Sequence, residues 1–175
     1  MLRFVRAVLV LAILVAALAA LAVYGAGRMV KAPGPEAAAG AETIVLLERG
    51  IGVKTIAKRL EAAGVITNAD FFAIYVRVTG DGARLKAGEY AIPSGASMAD
   101  ILGILKAGKS ILHKLTVPEG LTSAQAMRLI AAHEVLVGEL GETPAEGALL
   151  PETYLFQRGT TRTELVADMT AAHDA

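Results

Sequence analysis

ETIVLLERGIGVKTIAKRLEAAG, residues 42–64, changes its hydrophobic rhythm partway along. Glu42–Glu48 (ETIVLLE) is strand-like, Gly50 turns the chain, and Val53, Ile56 and Leu60 then fall at helical spacing until Gly64 stops them. The same order returns downstream. Ala87–Pro93 (AGEYAIP) repeats the strand, Gly95 turns, and Met98, Ile101 and Leu105 carry a helix to Gly108. A third pass runs from His113–Val117 through Pro118-Glu119-Gly120 into a helix bearing Met127 and Ile130. Between the first two passes lies another amphipathic stretch, Asn68–Thr79, with Phe71, Phe72, Tyr75 and Val78 assigned to its apolar side.

Helix starts carry their own signatures. Thr67 with Asp70, Ser97 with Asp100, Thr122 with Gln125 and Thr161 with Glu164 each set a hydroxyl three residues before a carboxylate or amide, the spacing of a capping box. Caps, stops and periodicity agree on an α+β fold. The order strand (42–48), helix (52–63), helix (68–79), strand (87–92) is that of a small βααβ module. It resembles LysM, a domain that grips the sugar backbone of peptidoglycan or chitin. The helix and strand that follow are expected to extend this platform, making residues 42–117 one LysM-like subdomain.

From Ala7 to Gly27 no side chain is charged, and Leu, Val, Ile and Ala dominate. At about 1.5 Å per residue the run just covers a hydrocarbon core of roughly 30 Å. Tyr24 suits the interface at its far end. Arg3 and Arg6 precede the run and Arg28 and Lys31 follow it, so the positive-inside rule is close to a tie. A short tail is most simply cytoplasmic, which gives residues 1–6 inside, 7–27 as a transmembrane helix, and the rest outside the cytoplasmic membrane. Ala17-Leu18-Ala19 and Ala20-Leu21-Ala22 also fit a signal-peptidase site, but such apolar cores span only about 7–15 residues. Residues 28–41, with the proline- and glycine-rich KAPGPEAAAGA, read as a linker lifting the folded part off the membrane.

Lys+Arg 17 balance Asp+Glu 17, so there is no broad positive field and nucleic acid is not an expected partner. Cysteine is absent, which removes thiol chemistry. Gly103–Ser110 matches the P-loop expression, yet its glycines end a helix and the next segment is a strand, the reverse of a phosphate cradle. His113, His133 and His173 lack a second histidine at ligand spacing; His133-Glu134 opens like a zinc-protease motif, but Val137 stands where its second histidine belongs. No Gly-x-Ser-x-Gly elbow occurs. Long heptad helices of a secretion adaptor are also missing.

Carboxylates remain. Glu119 reads most simply as a turn residue favouring the following helix N-terminus. Glu146 opens EGALLPETYLF (146–156), an apolar stretch with only two charges. Such a stretch should pack inward, and desolvation of a carboxyl beside it would raise its pKa as proton donation near neutral pH requires. A solvated loop glutamate after Pro144 is the competing reading, and from the residues alone the two stand level.

This stretch resembles the signature of the endolytic murein transglycosylase family, the YceG-like proteins, whose motif reads approximately Leu-Glu-Gly-Tyr-Leu-Phe-Pro-Asp-Thr-Tyr. The Pro118-Glu119-Gly120 turn with Thr122, the N-terminal apolar helix and the LysM-like module extend the likeness over nearly the whole chain. Ala148 and Leu150 stand where the family has aromatic residues, and Glu152 where it has aspartate. The resemblance implies a lyase that cleaves the β-1,4 bond between N-acetylmuramic acid and N-acetylglucosamine in nascent glycan strands, on the periplasmic side of the inner membrane. Glu146 takes the catalytic position: it would protonate the leaving oxygen, then accept the proton of the C6 hydroxyl as a 1,6-anhydro ring closes. Glu152 and Tyr154 become candidates for orienting substrate or Glu146, with turn and core packing as an equal explanation. Neither metal nor organic cofactor is implied. Expected partners are peptidoglycan strands, the membrane and peptidoglycan synthases. The last helix, begun at Thr161, has no stop signal, so residues 118–175 read as the start of a catalytic domain, and 175 residues alone are expected to be inactive or nearly so. The alternative is a wall-binding scaffold of LysM type without catalysis.

Overall fold

Backbone pairing divides the folded part into two small α+β units, each built on a two-stranded antiparallel sheet, in a computed structural model that describes residues 2–38 and 40–173. A long helix, α1 (Leu2–Lys31), leads in; its stretch Leu9–Lys31 has a mean hydropathy of 2.6 and is long and apolar enough to cross a membrane. The helix runs past Gly27 to Lys31, so the linker starts later than residue 28.

In the first unit β1 (Glu42–Leu47) pairs with β2 (Gly88–Pro93), Glu42 opposite Pro93 and Leu47 opposite Gly88. Between them lie α2 (Val53–Ala62) and α3 (Ala69–Thr79), and after them α4 (Met98–Ala107). Period-two burial on the strands sends Val45, Leu47, Tyr90 and Ile92 to one face, where Leu60, Phe72, Ile101 and Leu105 of the helices meet them. Tyr90 is fully buried and its hydroxyl donates to the Lys86 carbonyl at 2.7 Å, so the ring brings no unsatisfied group into the core.

The second unit pairs β3 (Leu112–Thr116) with β4 (Thr153–Gln157), and packs α5 (Ser123–Ala132) and α6 (Arg162–His173) on them through Val117, Met127, Ile130, Phe156, Leu165 and Met169. The reading of 113–117 as an extension of the first platform therefore does not hold: α4 joins the first core, but β3 hydrogen-bonds to β4, a strand not anticipated from the sequence.

Three capping boxes form as expected. Ser97 with Asp100, Thr122 with Gln125 and Thr161 with Glu164 exchange side-chain and backbone bonds. At α3, however, Asn68 rather than Thr67 caps, accepting from the Phe71 amide at 2.8 Å. Gly108 ends α4 in the left-handed conformation, so the P-loop-like letters cover the end of a helix.

Two further corrections concern surfaces. The inward face of α3 is Ala69, Phe72, Ala73 and Val76; Val78 is 80% exposed and Ile74 56%. Nor do residues 32–37 form a free spacer. The Gly34 amide donates to the Gly95 carbonyl at 3.1 Å, the Gly95 amide returns a bond to Pro35 at 3.0 Å, and the Ala37 amide donates to Ser94 Oγ at 2.9 Å. A Cβ at Gly34 would overlap the carbonyl oxygen of Ala96, so the approach needs glycine.

Urea titration of the detergent-solubilised chain should separate the two faces of α3. Phe72→Ala is expected to cost about 3–5 kcal/mol as a core truncation, and Val78→Ala no more than about 0.5 kcal/mol. Equal losses would mean that the burial assigned to these faces is wrong.

Candidate active site

α5 begins with Thr122 as its cap, which leaves the Ser123 amide pointing outward as one of the unpaired donors of a helix start. Glu146 fills that vacancy. Its Oε2 accepts from the Ser123 amide at 2.9 Å, while Ser123 Oγ donates to the Ala145 carbonyl at 2.8 Å. Two bonds from one residue thus clasp the Ala145–Glu146 peptide to the helix end.

The dipeptide Glu146-Gly147 has a local reason. The Ala148 amide donates to the Ala145 carbonyl at 3.1 Å and Gly147 sits at φ 82°, the geometry of a turn whose third residue must tolerate positive φ. Downstream, Leu149 is buried and anchors the loop. Tyr154 directs its hydroxyl to the Leu150 carbonyl at 2.7 Å, closing the segment that follows Glu146. Burial pushes the Tyr154 phenol up, and the nearby Glu152 charge adds to the effect. Glu152 is exposed; its carbonyl accepts from the Val117 amide at 2.9 Å, carrying the β3–β4 ladder one step further.

Glu146 is exposed as well. The dry surroundings expected from its apolar neighbours are not there, because those neighbours turn inward behind it and leave the glutamate on the rim at a helix N-terminus. Tyr154 is committed to the loop's own backbone. Of the three residues singled out in the sequence, all lie on one loop and its strand, with Glu146 at the apex of the turn.

A second cluster went unnoticed in the sequence. Glu89, on β2 of the first unit, lies 2.8 Å from His113 Nε2 on β3 and accepts from Arg158 Nε at 2.9 Å just after β4. The Ile111 amide donates to the Glu89 carbonyl at 2.6 Å. Burial works to raise the Glu89 carboxyl, but Arg158 and His113 outweigh it and hold it below the usual glutamate range. A lone charge in AGEYAIP was the available signal. Arg49 and Glu164 join the units a second time at 3.0 Å, on the surface.

Comparison with known proteins brings in a family. The model of the YceG-like family matches residues 45–175. A crystal structure of a yceG-like protein from Listeria monocytogenes is similar over 78% of this chain, with 27% identity and a TM-score of 0.44. The chain spans 55% of that protein's length. No curated protein matches it.

The Glu89 cluster predicts an acid limb. A carboxyl held low in the native state adds stability that is fully present above its unfolded pKa, about 4.3, and is withdrawn as pH falls through the lower native value. Unfolding free energy should therefore drop below about pH 4.3, and Glu89→Gln should flatten that drop. A slope unchanged in the variant would rule out Glu89 as its source.

Proposed function

Because the chain belongs to the YceG-like family, the family of murein transglycosylases, we propose that it is part of a membrane-anchored lytic transglycosylase with Glu146 as its general acid and base. The observation that carries the proposal is the Glu146-Gly147 turn clasped to the start of α5, inside the stretch matched to the family. Two bonds to Ser123 and a glycine-dependent turn fix the carboxylate in space before any substrate arrives, and preorganisation of that kind is what a proton-transferring group needs.

The reaction needs one carboxyl group. Glu146 gives its proton to the glycosidic oxygen as the bond to N-acetylmuramic acid breaks. The carboxylate so formed takes the proton from the sugar's C6 hydroxyl, whose oxygen closes on C1. Attack within one sugar ring brings its own proximity, so neither a second catalytic carboxylate nor a bound water nucleophile is required. An acid on an exposed rim must be shielded from water at the moment of transfer. A glycan strand laid over the turn would supply that cover, with the Leu149–Leu150 loop beneath it.

In this reading Tyr154 and the Glu152 carbonyl hold the loop, and the exposed Glu152 side chain meets a sugar hydroxyl of the strand. The βααβ unit of residues 42–93 serves as a LysM-like grip on the glycan, and α1 anchors the whole to the inner membrane with the folded part outside. Exposure of Glu146 favours one competing reading, a wall-binding scaffold in which this carboxylate only caps α5.

Glu146→Gln separates the two. The amide oxygen can still accept from Ser123, so the fold should survive. In the full-length protein, release of anhydro-muropeptides from purified sacculi should fall by roughly 10²–10⁴-fold, the usual contribution of general acid–base catalysis. Undiminished release by the variant would remove Glu146 from the mechanism; peptidoglycan binding with no anhydro product from the unaltered protein would favour the scaffold.

A further inference from the structure

α3 is apolar twice over. Ala69, Phe72, Ala73 and Val76 face the core, while Phe71, Ile74, Tyr75 and Val78, also at i, i+3, i+4 and i+7, make a second apolar stripe: Ile74 and Val78 are exposed, and Phe71 and Tyr75, half-buried, lie at its edge toward the core. A helix with one buried face has no folding reason for an apolar outer one. The outer stripe is not isolated. Phe71, Ile74 and Val78 line a groove of about 510 Å³ together with Val23, Ala26 and Val30 of α1. These α1 residues come from the outer end of the apolar run and its continuation to Lys31. The docked stem at Gly34, Pro35 and Ala37 holds α1 and the first unit in this relation.

From this continuity we propose that the outer stripe of α3 lies in the lipid interface beside the exit of α1, seating the first unit directly on the membrane. The inference rests on the reading of α1 as a membrane span. Ala22 to Gly27, the part of the apolar run that borders the groove, corresponds to roughly 9 Å of helix at 1.5 Å per residue, which agrees with the about 5–10 Å to which interfacial helices sink. Charge fits the same occupant. Arg28 and Lys31 end α1, where lipid phosphates would lie, and Tyr24 and Tyr75 are rings with an apolar body and a polar tip. Acyl chains that already cover α1 need only continue across the groove to cover α3.

The chain has no cysteine, so single cysteines can carry an environment-sensitive fluorophore without background. Ile74→Cys and Val78→Cys alter exposed positions and take nothing from the core. Leu14→Cys, in mid-α1, reports the span itself, and Glu139→Cys, exposed in the second unit, reports water. With the full chain in phosphatidylglycerol-containing phosphatidylcholine vesicles, probes at 74 and 78 should lose most of their emission to nitroxides placed near the lipid headgroup. The probe at 14 should respond to deep nitroxides and the probe at 139 to neither. Probes at 74 and 78 that match 139, while 14 is quenched, would overturn the docking and leave the anchor standing. A water-exposed probe at 14 would remove the anchor and the docking together. Blue-shifted but unquenched emission at 74 and 78 would mean that protein, such as a second copy, covers the stripe, and would also overturn the proposal.

Discussion

One carboxylate holds the two units to each other. Glu89 leaves the first sheet and reaches a histidine on β3 and an arginine just beyond β4, so both strands of the second sheet are tied to the same oxygen. The side chain is only 13% exposed, and charged groups taken that far from water weaken a fold unless their bonds are complete. Here Oε2 meets both partners, and the backbone bond from Ile111 secures the same residue from its other end. The neighbouring Arg49–Glu164 pair, with both partners about half exposed, adds little by comparison. Loosening Glu89 would free the second sheet, and with it the helix start on which Glu146 rests.

Local features were legible in the sequence and remote pairings were not. The βααβ order, three of the caps and the end of α4 follow from hydroxyl spacing, glycine and periodicity, all of which act within a few residues. β4 was hidden because TYLFQ is short and its partner lies some forty residues back, where no local signal points. α3 misled for a different reason: two apolar stripes two positions apart give a single amphipathic pattern, and only packing tells which is inward. The docked stem is held by backbone bonds, which have no side-chain signature, although the glycines at 34 and 95 were in plain view. Asn68 took the cap from Thr67 because either residue could start the helix, and the difference is one position.

The site was half legible. Residue types leave Glu146 with two level readings, and the resemblance to the YceG-like family is what assigns it the catalytic position. Its surroundings were not legible. Apolar neighbours suggest a dry carboxyl only if they surround it, and here they lie behind it, while the polar contact that matters comes from a backbone amide at residue 123. Under the proposed function, membership in the YceG-like family would give the carboxylate its chemical meaning; the clasp shows how the chain keeps it in position.

On the proposed reading of α1 as a membrane anchor, a stem with no slack turns the membrane into a datum. Because the segment after α1 is stitched to the Ser94–Gly95 turn, the first unit can neither rise nor swing on a tether as it would on a flexible leash. On that reading, a glycan strand would be met at one altitude above the bilayer, like work held against a fixed fence. Inserting a few residues between Lys31 and Pro33 would, on that reading, change the altitude while the stitch at Gly34, Pro35 and Ala37 stays in place.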